Sequence, residues 1–166
     1  MVPSMDSDVV EPQPEVVQVW FPMSGGPAHA VGVGAEVIAP DQVRLVFPPW
    51  AALNAAKGDI YRVQRDDDGQ PWIQEKLEAS GFCAIRVELG DDSRIGSLNA
   101  GVDAVLKMFR PLGVTGVGMF GLAVLDVPPA ADLVRVRHLL DDGRQEGWWE
   151  YVELCVTDRW KLATPR

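Results

Sequence analysis

Carboxylates are the groups in this chain most able to do chemistry, and they come in runs: Asp66-Asp67-Asp68-Gly69, Asp91-Asp92 and Asp141-Asp142. The first run is not a calcium loop, because it lacks acids at alternating positions and at the twelfth place. An acidic run ending in Asp-Gly reads instead as a hairpin tip, solvated and free to meet a partner. Asp66, Asp67 and Asp68 are therefore candidate partner-binding residues. His29 sits in a Gly/Pro/Ala loop, and His138 lies at the edge of an apolar helical stripe, where a structural role is expected. Neither belongs to an HExxH or HxH pattern and no CxxC occurs, so no metal site is expected. No GxSxG element or Cys-His pairing marks a nucleophile, and no catalytic residue is assigned. The glycine-rich stretches 32–34 and 113–121 lack a Walker lysine and the strand-GxGxxG-helix order, so no cofactor is expected. They read as bulges or close strand packing. A few carboxylates can catalyse without any motif, so enzymatic activity stays open, with the balance against it.

Arg86 interrupts an apolar strand, CAIRVEL, and by alternation shares a face with Ala84 and Glu88. A solvent-facing Arg-Glu pair is the bland reading. The alternative is an arginine on an open sheet face that binds a carboxylate or phosphate. Six tryptophans, at 20, 50, 72, 148, 149 and 160, are a surplus for 166 residues. Trp148 and Trp149 fall in one predicted strand and so point to opposite faces. One joins the helix-covered core. The other packs on the first module or meets a partner, and Trp149 is the aromatic candidate for that contact. Trp160 is expected to anchor the tail at the surface. Cys83 and Cys155 have no metal-ligand spacing, and two reduced thiols are expected.

The formal charge is −9, from 15 Lys+Arg against 24 Asp+Glu. That field repels phosphate backbones and anionic membrane surfaces, so neither nucleic acid nor membrane is expected as a partner. It suits a basic protein by steering and complementarity. No apolar run approaches the ~18 residues of a membrane helix, and the acidic, Pro-containing start lacks the features of a signal peptide. A soluble, cytoplasmic protein is the expectation.

The elements that must position these residues fall into two rhythms. Residues 1–15 read as a flexible tail. Residues 16–80 read as a small antiparallel β-barrel-like module of short strands: 16–23, 31–39, 42–47, and the hairpin 59–65 with 72–77. A loop at Ser24–Pro27 follows the first strand, and 50–56 reads as one turn of helix. Residues 81–160 alternate differently. Strands 82–89, 115–120, 122–127 and 148–156 flank two amphipathic helices. The first has apolar Leu98, Val102, Val105, Leu106 and Phe109, with Ser97 as N-cap. The second has Leu133, Val136, Leu139 and Leu140, with Asp132 as N-cap. The order βαββαβ predicts a ferredoxin-like module packed on the barrel, and α+β overall. In that topology Cys83 and Cys155 lie on neighbouring strands.

Lys57-Gly58-Asp59, Ser80-Gly81 and Arg86, with the VWFPM strand and the stretch LDVPPAADLVRVRHLLDDGRQEGWWEY, resemble the bacterial domain-of-unknown-function family 4265 over about residues 16–156. The family has no established reaction, so the resemblance implies a fold and not a function. Three functions compete. The first is a non-enzymatic protein-binding module, concretely an inhibitor or immunity-type partner of a toxin enzyme, which blocks a basic cleft with its acidic tip. The second is a small anionic-ligand-binding or enzymatic ferredoxin-like domain built on Arg86. The third is a structural subunit that forms a homodimer.

Overall fold

A computed structural model describes residues 13–23, 30–96 and 98–164. The expected tail up to residue 12, the Ser24–Pro27 loop, His29 and the N-cap Ser97 lie outside the described residues. The molecule is α+β. Five strands, β1 (Val16–Pro22), β2 (Ala30–Ala39), β3 (Gln42–Leu45), β4 (Ile60–Arg65) and β5 (Pro71–Glu78), form a closed barrel. Neighbours along the chain pair antiparallel. Closure comes from a parallel contact between β1 and β5 at Trp20 and Trp72, so the barrel is not wholly antiparallel.

Alternation builds the barrel core. Val19 and Phe21, Val33 and Ala35, Val43 and Leu45, and Tyr61 and Val63 point inward, while their neighbours point out. The segment between β3 and β4 makes turns and no helix, contrary to expectation. Its Ala52 and Ala55 bury into the barrel, and its Ala56 packs against the second sheet. Small side chains let the backbone press close to both cores at once.

The second sheet contains β6 (Cys83–Glu88), β7 (Thr115–Met119), β8 (Leu122–Val127) and β9 (Glu150–Cys155), in the order β7-β8-β6-β9. All neighbours are antiparallel. Helices α1 (Leu98–Phe109) and α2 (Leu133–Gln145) bury Val102, Val105 and Phe109, and Leu133, Val136 and Leu140, on one face of it. Asp132 caps α2 as its sequence predicts, accepting from the Arg135 N–H. Gly118 on β7 admits α1, since a Cβ there would lie 2.1 Å from Val102. The opposite face carries Ala84, Val124 and Leu154, covered by Ala56, Trp50 and Phe82.

Two tryptophan expectations are corrected here. β9 starts at Glu150, so Trp148 and Trp149 precede the ladder and both pack on the helix-side core. Trp160 is no surface anchor. It sits in a short helix, α3 (Asp158–Leu162), capped by Thr157, and is 1% exposed in the same core. Both cysteines are free. Cys83 joins the helix-side core and Cys155 packs against the barrel-side cluster, so adjacent strands carry them on opposite faces. No helix among the described residues is long and apolar enough to cross a membrane.

Candidate functional site

The β4–β5 hairpin tip is organised by one side chain. Asp66 Oδ1 accepts from the backbone N–H groups of Asp68 (3.0 Å) and Gln70 (2.8 Å). Its Oδ2 accepts from the Trp72 indole N–H at 2.9 Å. The indole bond, then the Gln70 bond, holds the Asp66 carboxyl below the usual aspartate range. Gly69 takes a left-handed conformation (φ 77°), and Arg65 donates to its carbonyl at 3.0 Å. Asp66 is thus occupied in shaping the turn. Asp67 and Asp68 are exposed beyond it.

The tip leads onto an aromatic surface. Trp20 donates from its indole to Gln70 at 3.1 Å, and its ring lies 6.4 Å from that of Trp72, tilted by 34°. Opposite Trp20 on β2 is Gly32, where a Cβ would come within 3.1 Å of the Trp20 ring. Gly34, two residues on, is similarly covered by the ring of Phe47. Glycine on the outer face of β2 therefore lets aromatic rings lie against the barrel. Phe47 is half exposed. Beside Trp72 runs a groove of about 350 Å³ lined by Gln64, Arg65, Asp66, Asp67, Trp72 and Gln74. An aromatic face next to the exposed carboxylates of Asp67 and Asp68 suits a guanidinium or ammonium group, through cation–π attraction and charge.

The other candidates are placed elsewhere. Trp149 is 3% exposed and donates to the Leu140 carbonyl at 2.9 Å beneath α2, so it offers no surface to a partner. Arg86 is committed within the chain. Its Nε and Nη2 each lie 2.9 Å from Glu88 Oε1, and its Nη1 donates to the Trp50 carbonyl at 2.9 Å. It clamps the barrel-side segment to the sheet, and the face expected to be open there is covered. His138 is exposed and pairs with Asp142 at 3.0 Å. Among the described residues, no group of three or more His, Cys, Asp or Glu is placed to hold a metal ion.

One cluster escaped sequence reasoning. Asp59 is 1% exposed and accepts from the N–H groups of Ala56 (3.0 Å) and Ser80 (2.8 Å) and from Lys76 Nζ (2.9 Å). Lys76 also donates to the Asn54 carbonyl, as does the Tyr61 hydroxyl. Burial, then the charge of Asp59, pushes the Tyr61 hydroxyl far up, which keeps it a neutral donor. Ser80 Oγ donates to the Lys57 carbonyl at 2.6 Å. The Lys57-Gly58-Asp59 and Ser80-Gly81 motifs are therefore two halves of one latch at the seam between barrel and sheet. The sequence marked these two motifs only through the family resemblance, and the pairing of Tyr61 with Lys76 across the hairpin is obscured by two register shifts.

The family model described as "Domain of unknown function (DUF4265)" matches residues 32–151, the larger part of the chain. The chain belongs to this family. No curated protein matches this DUF4265 member by sequence. A solved structure described as "Novel crystal structure of a hypothetical protein from Neisseria gonorrhoeae" is similar, with a TM-score of 0.63 and 17% identity over 87% of this chain and 96% of that one. At that identity the likeness is one of fold.

Proposed function

We propose that this chain is a non-enzymatic protein-binding module whose barrel captures a basic segment of a partner protein in the cytoplasm. The observation that carries the reading is the fixed placement of Trp20 and Trp72 beside the acidic tip: both indoles are tied to tip residues, leaving Asp67 and Asp68 exposed. Such a preorganised aromatic and acidic patch loses little conformational freedom on binding. The net charge of −9 adds long-range steering towards a basic surface. In its most concrete form the module is an inhibitor or immunity-type partner that lays this tip into the basic cleft of a toxin enzyme. The second sheet then acts as the platform. Its reading as a ferredoxin-like βαββαβ unit is supported by the order β7-β8-β6-β9 with antiparallel neighbours.

A deca-arginine peptide serves as the probe. On titration at low ionic strength, the indole N–H signals of Trp20 and Trp72 are expected to shift in NMR spectra, while those of Trp149 and Trp160 hold still. D67K/D68K is expected to weaken the peptide about tenfold. D91K/D92K makes the same change of charge elsewhere. Equal weakening by both pairs would show that net charge alone attracts the peptide, and the reading would fall.

A further inference from the structure

A second buried aspartate sits at the seam, and it is not satisfied as Asp59 is. Asp126 on β8 is 4% exposed, and its Oδ1 has no hydrogen-bond partner among the described residues. It lies between Ala84 of β6 and Thr115 of β7, on the face shared with Val124. That face is the one covered by Ala56, Trp50 and Phe82. A buried carboxylate without partners is strongly disfavoured, whereas a buried carboxylic acid is tolerated.

Few charges reach it. From the β3–β4 segment comes Lys57, whose Nζ lies over the Phe82 ring at 6.0 Å. From β6 come Arg86 and Glu88, paired with each other and standing opposite Val124 and Leu122 instead of Asp126. β7 and the rest of β8 bring no other charged residue. β9 contributes Cys155 to the cluster, and its Glu150 pairs with Glu88 at the far end. Burial pushes the Asp126 carboxyl up to about 6, with Lys57 pulling it partly back.

We propose that Asp126 makes the seating of the barrel on the sheet depend on protonation: the acid form keeps the seam closed, and ionisation loosens the Trp50–Lys57 segment over β8. The direction follows from linkage. The folded state holds this proton more tightly than the unfolded chain, whose aspartates titrate near ~3.9. The stabilisation is therefore complete below that value and is lost as pH rises through about 6. The same segment plugs the barrel through Ala52 and Ala55 and receives Arg86 at the Trp50 carbonyl. Loosening would thus reach both cores.

Amide hydrogen exchange over residues 52–58, corrected for its intrinsic pH dependence, tests this on the full chain. Opening is expected to rise about tenfold from pH 5 to pH 8, the part of the ~100-fold permitted by a two-unit shift that is left above pH 5. In D126N, which keeps the shape and cannot ionise, the rise is expected to vanish. In K57M, which removes the cation that favours the ionised carboxyl, its midpoint is expected to move to higher pH. If D126N does not fold, the K57M shift decides alone. An unchanged pH profile in D126N, or in K57M where only that variant folds, would overturn the proposal.

Discussion

The molecule holds two pairs of neighbouring tryptophans and uses them in opposite ways. Trp148 and Trp149 stack edge to face with centroids 5.7 Å apart, and Trp149 is sealed beneath α2. Trp20 and Trp72 lie 6.4 Å apart on the outside of the barrel, half-buried. The indole N–H tells them apart. Trp149 donates to a backbone carbonyl of α2, that of Leu140. Trp20 and Trp72 donate to side chains of a solvated turn. The first arrangement completes a core. The second holds large apolar rings in a fixed pose where water can be displaced by a partner.

The sharpest way to break the comparison is to remove one ring from each pair. Trp149→Ala empties a core site bounded by Phe109, whose ring centroid is 5.9 Å away, and by α2. It is expected to lower stability by about 3–5 kcal/mol, a fall in Tm of about 10 °C, without changing deca-arginine affinity in the folded fraction. Thermal unfolding and peptide titration on the same sample check this. Loss of peptide binding by folded protein would place the partner contact back at Trp149.

A subtler test of the buried pair is Gly143→Ala on α2. Helix propensity alone favours alanine by about 1 kcal/mol. A Cβ at 143, however, would sit 2.1 Å from Trp149 Cζ2 and 2.2 Å from Cε2. That ring is pinned by its bond to Leu140 and cannot swing aside. Overpacking of about 1–3 kcal/mol should win, and the denaturant midpoint should fall. A higher midpoint would show that Trp149 has room to move. On the barrel, Trp72→Ala is expected to change stability by about 1–2 kcal/mol, less than Trp149→Ala, because the side chain is half-buried and not sealed in a core. It should weaken deca-arginine about tenfold. Unchanged affinity in that variant would remove the aromatic half of the proposed site.

The contrast also shows where sequence reading succeeds. α1, α2 and the β4–β5 hairpin were legible because each carries its own period and its own stop signals: Asp132 caps α2, and Asp68-Gly69 turns the hairpin. Trp149 misled because alternation applies only inside a ladder, and the ladder begins one residue later, at Glu150. Trp160 misled because a five-residue helix has too few turns to show periodicity. The aromatic platform was hidden for a different reason. Trp20 and Trp72 meet only through barrel closure, a contact between first and last strands that no local pattern encodes. Asp66, Asp67 and Asp68 were visible as a tip, but their different duties were not. Only the register of the turn makes Asp66 a ligand of the backbone and leaves the other two facing solvent.

That division of labour gives the smallest expected effect. Asp66 is fully exposed, so solvent screens its interactions, and its loss should register in the pose of Trp72 far more than in stability. In Asp66→Asn one oxygen can still accept from the Gln70 and Asp68 N–H groups, but the amide group then faces the Trp72 N–H donor to donor. The Trp72 indole signal should move and broaden. The wild-type pH response has a definite sign. The folded carboxyl is held low, chiefly by the indole bond, so the bond persists as pH falls through the ordinary aspartate value near ~3.9 and is lost only below it. The Trp72 indole shift should therefore titrate below that value in the wild type and stay flat in Asp66→Asn. A midpoint at the ordinary value would mean that the bond contributes nothing to holding Trp72. The exposed tryptophan pair would then be two independent surface rings, without the fixed pose that separates it from a chance apolar patch.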